Sequence, residues 1–144
     1  MLEQIIKNIE QLARDFDSLC GIIEILISNL PGTKSIEERS LRFADHIVDL
    51  TASIYYRSDE VLFRLEELAK IFRRDPNKEA NIRITMDFIY DANLIAKLLY
   101  LFLRDYVIYV PPRVSVNTLT ELNKFLSPIA DNLKKASRHA RFWL

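Results

Sequence analysis

Apolar residues recur at alternating steps of three and four along four long stretches of the chain. The stretches cover residues 2–30, 41–72, 82–110 and 119–143. A mean repeat of about 3.5 residues places one apolar stripe on one face of a helix and favours left-handed packing at a shallow crossing angle. The pattern therefore predicts four amphipathic helices that share one core.

Proline and glycine separate these stretches. Pro31–Gly32, Asp75–Pro76 and Pro111–Pro112 each stop a helix, because proline cannot continue one and glycine relaxes the turn. The helices are predicted at about 2–30, 36–74, 76–110 and 118–142. Short connections make sequential helices antiparallel neighbours, so we expect an all-α, up-down-up-down four-helix bundle in a single domain, residues 1–144.

Several side chains refine this expectation. The second stripe passes Ser58 without a change of phase, which predicts one continuous helix. Asp75 is placed to cap the third helix, and Thr118 with Glu121 forms a capping-box pattern for the fourth. Pro128 lies inside the fourth stripe and predicts a kink there.

Helix length and surplus apolar residues distinguish the two ends of the bundle. The longer second and third helices predict a hairpin, residues 65–86, that projects beyond both termini. At the other end, residues 19–48 and 95–126 carry more apolar side chains than one core face needs, which indicates a protein-binding surface. We expect a homo-oligomer, foremost a dimer, or a helical partner. The candidate anchors are Phe43, Tyr56, Tyr100, Leu101, Phe102 and Ile108.

Composition narrows the class of protein. The chain has 144 residues, is 49% hydrophobic and contains only two glycines, which fits neither a disordered nor a loop-rich protein. Twenty basic residues balance twenty acidic ones, which disfavours nucleic acid as the partner. The single Cys20 excludes an intrachain disulfide. The most apolar run, 94–110, is interrupted by charges, so we expect no membrane insertion and a soluble, cytoplasmic protein.

Catalytic and metal-binding patterns are scarce. The two histidines, His46 and His139, belong to no Glu-x-x-His pair of the di-iron type. The sequence also has no ligand set for zinc or haem, no glycine-rich phosphate loop and no nucleophile elbow. We therefore expect no metal and no cofactor, and the sequence favours a non-enzymatic role.

One local pattern offers an enzymatic alternative. Arg39 is followed seven residues later by His46, and this spacing resembles the Arg-x4-6-His motif of HEPN-type ribonucleases, which are dimeric helical bundles. The resemblance implies that Arg39 and His46 would act on the phosphodiester and 2′-hydroxyl of RNA. It covers eight residues, and the motif lies earlier in the bundle than is usual for that family.

Basic residues provide a further alternative, an accessory subunit that binds nucleic acid or another anionic partner. They cluster near the second turn, 70–83, and along the end of the fourth helix, 134–141, which the predicted topology brings to one end of the bundle. The candidate anion-binding residues are Lys70, Arg73, Arg74, Lys78, Arg83, Lys134, Lys135, Arg138 and Arg141.

Overall fold

A computed structural model describes residues 2–29, 36–109 and 116–144, and it has the predicted all-α, four-helix architecture. The helices are α1 (Leu2–Asn29), α2 (Ile36–Ile71), α3 (Pro76–Tyr109) and α4 (Val116–Trp143). Within this part of the chain α1 and α3 each pack against both α2 and α4, while the diagonal pairs do not pack together. The helices therefore lie at the corners of a square around a common core.

Pairs of side chains show that the neighbouring helices α1 and α4 are antiparallel. Arg141 near the end of α4 contacts Glu10 near the start of α1, and Lys134 contacts Asp17 one heptad further along α1. Residue numbers thus rise along α1 as they fall along α4, as an up-down-up-down bundle requires.

The predicted turn between the second and third helices is confirmed with a shift at one boundary. Asp75 caps α3, because its Oδ1 accepts a hydrogen bond from the backbone N–H of Lys78 at 3.2 Å. Pro76 occupies the first position of α3, where its missing N–H costs nothing. α2 ends at Ile71 rather than Arg74, since residues 72–74 form the turn that leads into this cap.

The other local predictions have mixed outcomes. α2 runs through Ser58 without interruption, and the buried Ser58 hydroxyl donates to the Tyr55 carbonyl at 3.0 Å. α4 begins at Val116, so Thr118 lies in the first helical turn instead of at the cap. Pro128 lies within α4, and the kink stays a prediction.

The core continues to the α2–α3 turn, which changes the expectation for the hairpin. Leu65, Ala69, Ile82 and Met86 are each at most 2% exposed. Leu144 at the chain end packs partly buried against the same core. The hairpin 65–86 is therefore covered on its inner face and does not project as a bare pair of helices. In the described part of the chain, no helix combines the length and apolar character needed to cross a membrane.

Candidate protein-binding face

Within the described part of the chain, the solvent-facing side of α3 carries a row of exposed apolar side chains. Four large apolar side chains lie there, separated by four, four and three residues. This spacing keeps them on one helical face. Their exposed fractions are 48% for Tyr90, 54% for Leu94, 53% for Leu98 and 37% for Leu101. We call these four residues the α3 outer stripe.

The opposite side of α3 fills the bundle core. Ile82, Ile89, Ala92 and Ala96 are at most 1% exposed there. α3 is accordingly the least amphipathic of the four helices. A helix that is apolar on two opposite faces is typical of a position between neighbours on both sides. In the four-helix bundle α3 has such neighbours on its inner side, whereas the outer stripe faces solvent.

Three tyrosines enlarge this apolar face toward α2. The rings of Tyr55 and Tyr100 stack across the α2–α3 groove with centroids 6.4 Å apart, and Tyr56 meets Tyr100 edge-on at the same distance. The Lys97 ammonium lies 6.0 Å from the Tyr55 ring, and the Arg104 guanidinium lies 5.6 Å from the Tyr100 ring. Aromatic rings bordered by cations are frequent anchors at protein interfaces.

A polar contact holds this groove together. The Asn93 amide on α3 donates to the Ser58 hydroxyl at 2.7 Å and to the Asp59 carboxylate at 3.0 Å, both on α2. The same amide also donates to the Tyr55 carbonyl at 3.4 Å, so these bonds join α3 to α2 beside the tyrosines.

The structure describes only part of the predicted set of anchors. The Tyr56 and Tyr100 rings meet edge-on, with Tyr56 61% exposed, and Leu101 is exposed on α3. The side chains of Phe43, Phe102 and Ile108 lie outside the described residues.

The predicted set of anchors also omitted Tyr90, Leu94 and Leu98, although their regular spacing of four residues is readable in the sequence. Tyr90 and Leu94 extend the apolar face from the 95–126 end toward the middle of the bundle. Further large apolar side chains are exposed away from the stripe, namely Ile25, Phe63, Ile71, Ile84, Phe125 and Phe142.

Several of the predicted anion-binding cations are engaged with carboxylates of this chain. Arg83 contacts Glu66 and Glu79, and the Glu66 charge raises the pKa of Arg83. Arg141 donates from Nε to Glu10 at 2.8 Å, and this hydrogen bond raises the pKa of Arg141. These guanidinium groups are partly neutralised, which reduces their attraction for an external anion.

The partners of the α4 cations form a regular series on α1. Glu3, Glu10, Asp17 and Glu24 are spaced by seven residues and therefore share one flank of α1. Glu3 and Glu10 contact Arg141, Asp17 contacts Lys134, and Glu24 accepts a bond from Asn123. The heptad spacing of the acids is the signal in the sequence that points to these pairs.

The remaining predicted cations are distributed over two surfaces. Lys78 lies over the Phe72 ring, with its ammonium 4.5 Å from the centroid. The others make no ion pair with the described part of the chain; they are Lys70, Arg73 and Arg74 at the α2–α3 turn and Lys135 and Arg138 on α4. Three of the nine predicted anion-binding residues, Arg83, Lys134 and Arg141, thus contact carboxylates of this chain, and anion binding stays a prediction.

The candidates for chemistry are not brought into a described site. His46 is exposed on α2, and the Arg39 side chain lies outside the described residues, so the geometry of this pair is not defined. Burial, together with the negative charges of Asp17 and Glu24, raises the pKa of the Cys20 thiol to about 11. A thiol with so high a pKa is a weak nucleophile near neutral pH. Among the described residues, no group of three or more potential ligands is arranged to hold a metal ion.

Comparison of the chain with known protein families, curated proteins and solved structures finds no match.

Proposed function

We propose that this protein is a non-enzymatic interaction module that buries the α3 outer stripe against another helical surface, supplied by a second copy or by a helical partner. The observation that carries the proposal is the second apolar face of α3. Tyr90, Leu94, Leu98 and Leu101 repeat at helical spacing on the side opposite the core. Single exposed apolar residues are ordinary on protein surfaces, whereas a continuous stripe is typical of an interface.

The energy available from this stripe sets the expected strength of binding. Complete burial of a leucine-sized side chain contributes about 1.5–3 kcal/mol, so four side chains that are about half exposed contribute roughly 3–6 kcal/mol per copy. Association costs on the order of 4–15 kcal/mol in lost freedom of motion. The stripe alone therefore supports only weak binding, and the neighbouring Tyr56 and Tyr100 are needed to enlarge the buried area.

Removing two central leucines tests the proposal. We expect the Leu94→Ser, Leu98→Ser double variant to have a lower native mass than the wild type, since each substitution removes apolar surface that only the interface buries. Multi-angle light scattering after size-exclusion chromatography, over a range of loading concentrations, measures this. The wild type should exceed the 16.9 kDa of one chain, while the variant should approach that mass.

A matched control separates a specific face from general surface hydrophobicity. Ile71 and Phe142 are at least as exposed as the two leucines but lie outside the stripe. The Ile71→Ser, Phe142→Ser variant should keep the wild-type mass. Equal masses for all three proteins, at any oligomeric state, would show that the stripe does not mediate self-association. A heterologous helical partner would then have to bind the wild type and this control but not the leucine variant.

A further inference from the structure

The two most exposed large apolar side chains in the described part of the chain lie away from the α3 outer stripe. Phe142 is 83% exposed in the last turn of α4, and Ile71 is 65% exposed at the last residue of α2. Their neighbours Phe72 and Leu144 pack against the core instead. Single exposed apolar side chains are ordinary, so the groups around these two decide whether they have a role.

Both side chains lie at the same end of the bundle. α4 ends beside the start of α1, since Arg141 contacts Glu3 and Glu10. Six residues separate α1 from α2. Such a connection spans at most about 25 Å, less than the roughly 42 Å length of the 28-residue α1. α2 packs on α1 and therefore runs back along it, so that α2 also ends near the start of α1.

Exposed cations that make no ion pair with the described part of the chain border both apolar side chains. They are Lys70, Arg73 and Arg74 beside Ile71, and Lys135 and Arg138 within two helical turns of Phe142. We call these five cations, together with Ile71 and Phe142, the basic end.

The carboxylates of the α2–α3 turn are largely engaged within the chain. Glu66 and Glu79 both contact Arg83. Asp75 accepts the backbone hydrogen bond that caps α3. Within residues 66–79, Glu67 is the exposed carboxylate that makes no ion pair with the described part of the chain. Three unpaired cations thus face solvent around Ile71, against this one carboxylate.

The α4 side of the basic end has no acidic side chain of its own between residues 132 and 144. The acids of α1 contact Lys134 and Arg141, which lie on the flank of α4 that faces α1. Lys135 and Arg138 are left exposed on the same side of α4 as Phe142, because the three residues are three, four and seven positions apart. Both cations therefore accompany the exposed ring.

We infer that the basic end docks on the surface of an anionic lipid bilayer. The cations lie at the level of the anionic headgroups, and the Ile71 and Phe142 side chains reach into the boundary between headgroups and acyl chains. Cations near an anionic leaflet and apolar side chains at that depth both contribute to binding. This mode needs no helix that crosses the bilayer. The surface is separate from the α3 outer stripe, so the docking does not depend on the proposed function.

The apolar side chains favour a bilayer over nucleic acid as the anionic surface. A phosphate backbone attracts the same cations, but it offers no apolar environment to an isoleucine. Proteins that bind single strands stack the bases on aromatic rings. Ile71, which lies among the cations of the turn, has no ring to offer. A bilayer surface uses both its charge and its apolar side chains.

Cosedimentation with vesicles tests this docking. The full chain should sediment with vesicles of equimolar phosphatidylserine and phosphatidylcholine and stay in solution with vesicles of pure phosphatidylcholine. R73E/R74E should weaken partition onto the mixed vesicles at least ~10-fold, because each cation near an anionic leaflet contributes to binding. Added salt should weaken binding of the wild type, since it screens the attraction.

Two further variants separate the basic end from general surface charge. R14E/K124E reverses two exposed cations that lie outside the basic end, and it should bind like the wild type. I71S/F142S keeps every charge but should bind at least ~10-fold more weakly, because the apolar side chains no longer gain from burial. Circular dichroism should show the helix content of the wild type for each variant, so that weaker binding reports on the surface.

The possible failures are distinguishable. A wild type that stays in solution with the mixed vesicles, or that binds both kinds of vesicle equally, would overturn the docking. Wild-type binding by I71S/F142S would also overturn it, since charge alone would then suffice. Binding of a fluorescent oligothymidine that R73E/R74E abolishes, without vesicle binding, would identify nucleic acid as the anionic partner instead. The proposed function fails on native mass, which is measured without vesicles.

Discussion

Asn93 is the side chain that links α3 to α2 halfway along their contact. Its amide bonds Ser58 and Asp59 at 2.7 and 3.0 Å, in a region otherwise lined by apolar stripes. Apolar stripes of regular spacing tolerate axial slippage, because a shift by one heptad restores similar contacts. A partly buried polar group that has partners in only one register opposes such a shift. We therefore interpret Asn93 as a determinant of α2–α3 register.

We expect Asn93→Ala to lower the free energy of unfolding by about 1–2 kcal/mol, because the hydrogen bonds of its amide to Ser58, Asp59 and the Tyr55 carbonyl are lost, while the Asp59 carboxylate keeps its access to water. Urea denaturation followed by circular dichroism measures the change. Asn77→Ala is the matched control, since Asn77 is exposed at the start of α3. Its effect should stay within about 0.5 kcal/mol. Equal losses for the two variants would contradict a role of Asn93 in joining the helices.

At the scale of the helices, the apolar periodicity and the proline and capping residues between the helices predicted most of the fold. Asp75–Pro76 fixed the start of α3, because an acidic cap and a proline at the first position satisfy the local backbone. The same turn ended α2 at Ile71, three residues before the prediction. The apolar periodicity predicted a helix through residues 72–74 because Phe72 continues the stripe. Phe72 does pack against the core, but it does so from the turn that follows α2.

The candidate binding face was only partly predictable, because some of its features are local in sequence and others join residues that are far apart in sequence. The outer stripe is local, so the spacing of Tyr90, Leu94 and Leu98 is visible in the sequence alone. The Asn93 contacts and the pairing of Arg141 with Glu10 join residues far apart in sequence. They depend on which helices are neighbours and on axial register, which no single helix encodes.

Gly21 allows a test of whether the surface of α1 beside it is free of contacts in solution. It lies inside α1, and a methyl group added there would meet nothing within 4 Å. Alanine loses less backbone entropy than glycine on entering a helix, so we expect Gly21→Ala to raise the free energy of unfolding by about 0.5–1 kcal/mol. Urea denaturation measures this gain, with the exposed Ser18→Ala on the same helix for comparison. A clear loss of stability would show that the space beside Gly21 is occupied in solution.

At the scale of the whole molecule, the bundle has a continuous core and one helix, α3, that also exposes apolar side chains to solvent. The core reaches from Ile23 on α1 to Ala69 and Ile82 beside the α2–α3 turn, so the bundle has its own basis for folding. The α3 outer stripe contributes nothing to that core. Its apolar area becomes stabilising only when a second surface covers it. If association buries this area as proposed, stability and association are coupled, and the coupling depends on protein concentration.

Thermal unfolding at different concentrations measures this coupling. If the folded dimer dissociates on unfolding, a ~100-fold rise in concentration stabilises each chain by roughly 1.4 kcal/mol, half of the mass-action term for a dimer. For a domain of this size, that corresponds to an increase in Tm of about 3–5 °C. The Leu94→Ser, Leu98→Ser variant should unfold at a Tm independent of concentration, while the Ile71→Ser, Phe142→Ser control should follow the wild type. A wild-type Tm that is equal at both concentrations would contradict burial of the α3 outer stripe between copies, because an interface lost on unfolding must make the Tm depend on concentration.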